Sequence, residues 1–289
     1  MLLSVCQSAF DGSVIEQIAA AAAAGFEALE LRSPLDGQPL SALSEAEFAE
    51  LSQRAADEGL TIATLALGPV DELVAAPDTL RHMAALSGRS GARLRIFSRL
   101  RPGVSDPLEA QGEPDQDLWD QELELWGRCQ EIVSAENRAT LVMLEAEVTS
   151  VANTAERAAR LLDALDRRCL GYNWDFVNCW RAGEHPWPGP WPYLRGMTYG
   201  IHLKGARADR FEPDRYGSQC LPADDDVPHR AICAALVAAG FEGPVTVDPD
   251  WSQFLPADRP DPAPATPSAW IAAESLPFMA ACRAHAWAR

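Results

Sequence analysis

The sequence has few basic residues for its size and no long apolar run. Lys and Arg together number 24 against 42 Asp and Glu, which gives the 289 residues a formal net charge of −18. Such a charge repels phosphate backbones and anionic lipid. The longest apolar run, residues 18–26, is mostly alanine and falls far short of the roughly 20 residues that span a bilayer. We therefore expect neither nucleic acid nor a membrane as a partner.

The cysteines lack the spacing of a disulfide framework or a thiolate zinc site. There are seven, an odd count, and no Cys-x-x-Cys pair occurs among them. Met1 is followed by no basic segment and no small-residue cleavage site, so we expect no secretory signal. Both observations predict a cytoplasmic protein.

Eight short apolar runs alternate with segments of helical periodicity. The predicted strands are Leu2–Gln7, Phe26–Leu31, Leu60–Leu67, Ala92–Phe97, Thr140–Glu145, Leu170–Asp175, Thr198–Lys204 and Pro244–Asp248. This alternation favours an α/β fold with a parallel sheet, and eight units fit a single-domain (β/α)8 TIM barrel over residues 1–289. A doubly wound open sheet is the alternative. It would favour a Gly-x-Gly-x-x-Gly loop after the first strand, and residues 8–13 do not match that pattern.

Helix boundary signals support the alternation. Gly25 and Gly240 each follow an alanine-rich segment in the sequence Ala-Ala-Gly-Phe-Glu, and glycine readily takes the left-handed conformation that closes a helix. Ser44 with Glu47 has the spacing of a capping box. Asp226 is expected to cap the start of the helix that ends near Gly240.

The last four predicted strands carry polar residues at the end where a parallel barrel places its active site. These residues are Glu145, Asp175, His202 with Lys204, and Asp248. Three carboxylates and an imidazole at one barrel mouth would raise one another's pKa values unless a cation lies among them. We therefore predict one divalent metal ion. Glu30 and Arg32, which end the second strand, either line the pocket or form an ion pair.

The expected ligands are Glu145, Asp175, His202 and Asp248, and Asp250 competes with the last of them. Three oxygen ligands and one nitrogen favour Mn²⁺ or Mg²⁺, with Co²⁺ or Zn²⁺ as alternatives. Four protein ligands on an ion that accepts about six leave room for a carbonyl oxygen and the neighbouring hydroxyl of a sugar.

At these positions the sequence resembles the xylose-isomerase-like TIM barrels of the sugar phosphate isomerase/epimerase superfamily. Members carry a Glu at the end of strand five, Asp-x-x-His after strand six, His-x-Lys on strand seven and an acidic residue ending strand eight. The corresponding segments here are Glu145, Asp175-Phe-Val-Asn178, His202-Leu-Lys204 and Asp248. Asn178 replaces the family's histidine, and Glu145-Ala-Glu147 replaces the common Glu-Asn-His. The last ligand is Asp rather than the usual Glu.

The resemblance implies a divalent-metal-dependent sugar isomerase or epimerase that abstracts a proton next to a carbonyl through a metal-stabilised enediolate. By the same resemblance, Glu145 would remove the α-proton, Asp248 would deliver or accept the second proton, and Lys204 would steady an oxyanion. Asn178 and Glu147 would contact the substrate, which is expected to be a small sugar or sugar-like molecule.

Arg207 is a further candidate substrate contact. It belongs to a basic cluster after the seventh strand, on the loop where barrels often hold phosphate. Surface pairing with nearby Asp209 and Asp214 explains the cluster at least as well.

Two other functions stay open: a dehydratase of inosose or dehydroshikimate type on the same scaffold, and a non-catalytic sugar- or metabolite-binding barrel. A DNA-repair endonuclease on this barrel is excluded, because that chemistry needs a multi-zinc histidine cluster and a basic surface. The chain has five scattered histidines and a charge of −18. The sequence leaves a homo-oligomer open.

Overall fold

Eight parallel strands close into a barrel in the computed structural model, which describes residues 1–107, 109–212 and 214–287. The strands are β1 (Leu2–Cys6), β2 (Ala28–Arg32), β3 (Thr61–Pro69), β4 (Arg93–Phe97), β5 (Val142–Glu145), β6 (Leu170–Asp175), β7 (Thr198–Leu203), β8 (Gly205–Ala208), β9 (Tyr216–Cys220) and β10 (Pro244–Val247). The barrel order is β1-β10-β7-β6-β5-β4-β3-β2. All eight predicted strands are confirmed. The antiparallel hairpin β8–β9 was not predicted.

Helices surround the barrel and connect successive strands. They are α1 (Val14–Ala24), α2 (Glu45–Asp57), α3 (Val70–Ala75), α4 (Pro77–Ser90), α5 (Gln116–Glu136), α6 (Ala155–Asp163), α7 (Phe176–Arg181), α8 (Trp191–Leu194), α9 (His229–Ala238) and α10 (Pro267–Trp287). Within the described part of the chain, no helix combines the length and apolar character needed to cross a membrane.

Two kinds of predicted helix-boundary signal, the glycines after helices and the capping box, are confirmed, and one predicted cap is wrong. Gly25 and Gly240 have φ angles of +96° and +78°, and the Ser44–Glu47 capping box is present at the start of α2. The predicted cap at Asp226 is wrong. Its Oδ2 accepts a hydrogen bond from Ala208 N at 3.0 Å, so it stabilises the hairpin, and α9 begins only after Pro228.

Glu184 ties the segment after α7 to the start of α6, where its Oε2 accepts a hydrogen bond from Ala155 N at 2.7 Å. Burial raises the pKa of this carboxyl group from 4.5 to about 7, in spite of that hydrogen bond. The folded state therefore binds more protons than the unfolded state between these two pH values. It follows that stability falls as the pH rises through this range.

Glu184→Gln keeps the hydrogen-bond acceptor and removes the charge. We expect the substitution to stabilise the protein at pH 8 relative to pH 4: the change that it makes in the free energy of unfolding should be about 2 kcal/mol more favourable at pH 8. Urea denaturation of both proteins at the two pH values measures this difference. An equal effect at pH 4 and pH 8 would contradict the assignment.

Candidate metal centre

The carboxyl ends of β5, β6, β7 and β10 bring the four predicted ligands together. Strand pairing places Asp175 level with His202, and Asp248 directly follows β10. A carboxylate oxygen of Glu145, one of Asp175 and a ring nitrogen of His202 all lie within 4.8 Å of one another. These three side chains are buried, with at most 2% of each residue's surface exposed.

The side chains converge on Nδ1 of His202. This atom lies 3.2 Å from Glu145 Oε1, 3.4 Å from Asp248 Oδ2 and 3.7 Å from Asp175 Oδ2. It is buried and has no hydrogen-bond partner of good geometry among the described residues. A buried ring nitrogen without such a partner, surrounded by carboxylate oxygens, is a donor set that fits a divalent cation.

Glu30 holds the opposite nitrogen of the same ring. His202 Nε2 lies 3.0 Å from Glu30 Oε2, and a carboxylate in this place fixes the orientation and tautomer of a metal-ligating histidine. Glu30 Oε1 in turn accepts hydrogen bonds from Arg95 Nε at 3.1 Å and from Arg32 Nη2 at 2.9 Å. Burial alone raises the pKa of Glu30, but the charges of His202 and Arg95 outweigh it and lower the pKa well below its usual range.

Three cationic side chains pair with the carboxylates of the centre. Lys204 Nζ lies 2.7 Å from Asp175 Oδ2 and 2.9 Å from Asp248 Oδ2, Arg32 Nη1 lies 2.9 Å from Asp248 Oδ1, and Arg95 Nη1 lies 2.8 Å from Glu145 Oε2. Lys204 is the only lysine in the sequence. Both arginines occupy barrel strands, Arg32 at the end of β2 and Arg95 in the middle of β4.

The prediction that the carboxylates raise one another's pKa values is wrong for Asp175 and Asp248. Burial does raise both pKa values, but Lys204 beside Asp175 and Arg32 beside Asp248 outweigh it and hold both below their usual range. Charge repulsion by itself therefore does not require a metal ion. The case for a metal site rests on the environment of His202 Nδ1.

Asp175 serves two purposes with its two oxygens. Oδ1 accepts hydrogen bonds from Val177 N at 3.1 Å and Asn178 N at 2.9 Å, and so caps the start of α7. Oδ2 faces Lys204 and His202. Capping the following segment and facing the centre were alternatives at the sequence level, and the geometry permits both.

The other predicted substrate contacts differ in their burial and in their distance from this centre. Asn178 is buried, and its Nδ2 donates to Ala146 O at 3.2 Å. Glu147 is half-buried at the rim, and burial raises its pKa although Lys204 lowers it. Arg207, on β8, pairs with Asp258, and no described contact joins it to the centre.

A cleft of about 450 Å³ opens beside the centre on the side of β2, β3 and β4. Its lining includes Arg32, Arg95, Phe97, Ser33, Ser41 and Thr79. The Arg95 guanidinium carbon lies 4.5 Å from the centroid of the Phe97 ring. Another cleft, of about 330 Å³, lies at the amino ends of β4 and β7, the face of a barrel that characteristically carries no catalytic groups.

The sequence did not predict three features of the centre: Arg95, Asn173 and the contact of Glu30 with His202. Asn173 Nδ2 donates to Glu145 Oε2 at 3.1 Å. Arg95 and Asn173 each lie inside a predicted apolar strand. A charged or amide side chain within such a strand is the sequence feature that indicates a residue of the site.

A family model for xylose isomerase-like TIM barrels matches residues 18–279. Among solved structures, the chain resembles D-psicose 3-epimerase with D-tagatose from Clostridium cellulolyticum H10, with 17% identity and a TM-score of 0.74, over 98% of this chain and 99% of that one. A xylose isomerase-like TIM barrel protein from Mycobacterium smegmatis in complex with magnesium gives 17% identity and a TM-score of 0.74, over 99% and 98%.

The probable 3-DHS dehydratase AsbF from Bacillus anthracis, involved in petrobactin synthesis, is also similar, with 16% identity and a TM-score of 0.72 over 97% of this chain and 99% of that one. No curated protein matches the chain by sequence. At these identities, the structural matches establish the barrel fold.

Proposed function

Because the chain belongs to the xylose isomerase-like TIM barrel family, we propose that it is a divalent-metal-dependent isomerase or epimerase that moves a proton at a carbon next to a carbonyl group. The observation that carries the proposal is the arrangement around His202 Nδ1, with Glu145 Oε1 at 3.2 Å and Asp248 Oδ2 at 3.4 Å. These two carboxylates come from β5 and from the end of β10, so they approach a shared point from different strands.

Glu145, Asp175, His202 and Asp248 would hold the ion, most favourably Mn²⁺ or Mg²⁺. When bound there, a divalent ion supplies polarisation of the substrate carbonyl and stabilises the negative charge that develops on its oxygen. The similar M. smegmatis protein is a magnesium complex, which supports an oxygen-preferring ion.

Glu145 would act as the base. Its Oε2 is fixed by Arg95 at 2.8 Å and by Asn173 at 3.1 Å, so Oε1 is directed into the centre. Asp248 is held between Arg32 and Lys204 and would exchange the second proton in an epimerisation. Two proton-transfer groups on different sides of the substrate are what an inversion at carbon needs.

Lys204 would act as a hydrogen-bond donor to a substrate oxygen. Burial lowers the pKa of its ammonium group, but Asp175 and Asp248 raise the pKa well above the usual range, so the side chain keeps its proton. Glu147, at the rim, and the buried Asn178 would bind substrate hydroxyls. Arg207 would reach a substrate only by leaving Asp258.

The test is solvent deuterium incorporation by the manganese-loaded protein, followed by NMR and mass spectrometry over a panel of ketoses and keto sugar acids. We expect deuterium at a carbon next to the carbonyl in at least one substrate. Loss of water with a new enone absorbance would instead identify a dehydratase. A panel in which no compound gains deuterium would contradict proton abstraction.

A further inference from the structure

We propose that the substrate of this centre carries a carboxylate group, which Arg32 and Arg95 bind in the cleft of about 450 Å³; the inference rests on the proposed function and names its substrate class. Both arginines line this cleft. Each also touches a proposed metal ligand, Asp248 at 2.9 Å from Arg32 and Glu145 at 2.8 Å from Arg95. An anion bound by these two arginines would therefore lie directly beside the reacting carbon.

Each arginine uses part of its guanidinium group within the centre, and Arg32 leaves one donor unpaired. Arg32 Nε is buried and has no hydrogen-bond partner of good geometry among the described residues, whereas Arg95 Nη1 already lies 2.8 Å from Glu145 Oε2. Arg95 is 3% exposed, so water has little access to it. A guanidinium group presents five N–H donors in a planar fork that matches a carboxylate. The side chain of Arg32 is 26% exposed, so a carboxylate in the cleft can approach its guanidinium group.

The charge of the centre also favours an anion. Four carboxylates, Glu30, Glu145, Asp175 and Asp248, form ion pairs with Arg32, Arg95 and Lys204. With a divalent ion and a neutral His202, this network carries one net positive charge. Glu147 lies at the rim outside these ion pairs, and burial raises its pKa although Lys204 lowers it.

An uncompensated positive charge in a largely buried site is unfavourable, and a monoanionic substrate neutralises it. A neutral ketose leaves this charge in place, whereas the dianion of a phosphate ester exceeds it. On the charge of these ion pairs, a carboxylate fits the site better than a phosphate.

The rest of the cleft suits a hydroxylated carbon chain. Ser33, Ser41 and Thr79 contribute hydroxyl groups, and Leu67 and Leu73 contribute apolar surface. Glu72 is the one carboxylate among the described lining residues, and it is exposed to solvent. A hydroxy keto acid matches this combination of a buried arginine, a partly exposed arginine, hydroxyl groups and an apolar wall.

The experiment uses three ligands that share one carbon skeleton and differ at C6: D-fructose, D-fructuronate and D-fructose 6-phosphate. Isothermal titration of the manganese-loaded and metal-free protein measures their affinities. We expect fructuronate to bind the manganese-loaded protein at least about tenfold more tightly than fructose, because a charge-assisted contact replaces a hydroxyl contact. The preference should be smaller in the metal-free protein, where the excess positive charge is absent.

Two variants separate recognition from damage to the centre. Arg32→Lys keeps a charge near Asp248 but removes the planar fork, and it should reduce the preference for fructuronate while manganese content stays at the wild-type level. Glu72→Gln removes a negative charge from the wall, and it should tighten fructuronate more than fructose. Failure of either variant to change the preference would contradict the role of this cleft.

The outcomes distinguish this inference from the proposed function. Equal affinity for fructose and fructuronate, or a preference for the phosphate ester, overturns the carboxylate assignment even if a ketose exchanges deuterium. A preference for fructuronate that depends on Arg32 supports the assignment even if no ligand exchanges deuterium, and in that case only the proton-transfer function fails.

Discussion

Glu145→Gln is expected to lower the rate of solvent deuterium incorporation by about 10²–10⁴-fold, the usual contribution of a positioned general base. The amide has nearly the same shape as the carboxylate, and its oxygen can still accept from Asn173 and Arg95, but it cannot take up a proton. The rate measured by NMR in D₂O on the best substrate of the panel tests this, with manganese content determined in parallel.

The matched control is Glu124→Gln, which makes the same chemical change on an exposed side chain of α5. It should exchange deuterium at the wild-type rate. A Glu145→Gln protein that retains manganese and exchanges at the wild-type rate would remove Glu145 from the role of base, whereas loss of both manganese and exchange would assign it chiefly to metal binding.

Lys204→Met is expected to destabilise the metal-free protein by about 3 kcal/mol, because removing one partner of a buried ion pair leaves uncompensated charge. Lys204 Nζ lies 2.7 Å from Asp175 and 2.9 Å from Asp248, so a single change deprives two carboxylates of a shared cation. Added manganese should restore a larger part of the stability in the variant than it adds to the wild type, since the ion replaces the missing charge.

Urea denaturation with EDTA and with manganese measures both effects. Arg215→Met provides the comparison, because it breaks an ion pair with Glu212 in which both side chains are exposed, and such pairs contribute little. If Lys204→Met lost the same stability with and without manganese, the side chain would be a structural partner of Asp175 and Asp248 without any link to a metal site.

The barrel was predictable because its strands are nearly continuous apolar runs, as expected for a parallel sheet covered on both faces. Every run ended within a few residues of the observed strand, and Leu170–Asp175 matched in full. The hairpin β8–β9 was not predictable in this way. Its strands are short and contain polar and charged residues, and its stability depends on tertiary contacts such as that from Asp226 to Ala208.

The site was predictable where it follows from topology and not where it follows from packing. Glu145, Asp175, His202 and Asp248 lie at strand ends, and parallel strands bring those ends to one mouth. Arg95 is different: it lies in the middle of β4, and only the barrel's curvature and register bring it within reach of Glu30 and Glu145. The prediction that the carboxylates raise one another's pKa values failed for this reason. It considered the acidic residues at the strand ends and left out the basic side chains that pair with them.

The buried position of the single lysine has a practical consequence for following the barrel in solution. The Lys204 side chain is 9% exposed and pairs with Asp175 and Asp248, so its ε-amine is shielded from reagents in the folded protein. The rate at which this one side-chain amine is acylated, measured by peptide mass spectrometry, therefore reports how often the surrounding structure exposes it. The rate of that reaction should slow when an ion or a substrate holds the strands' ends together.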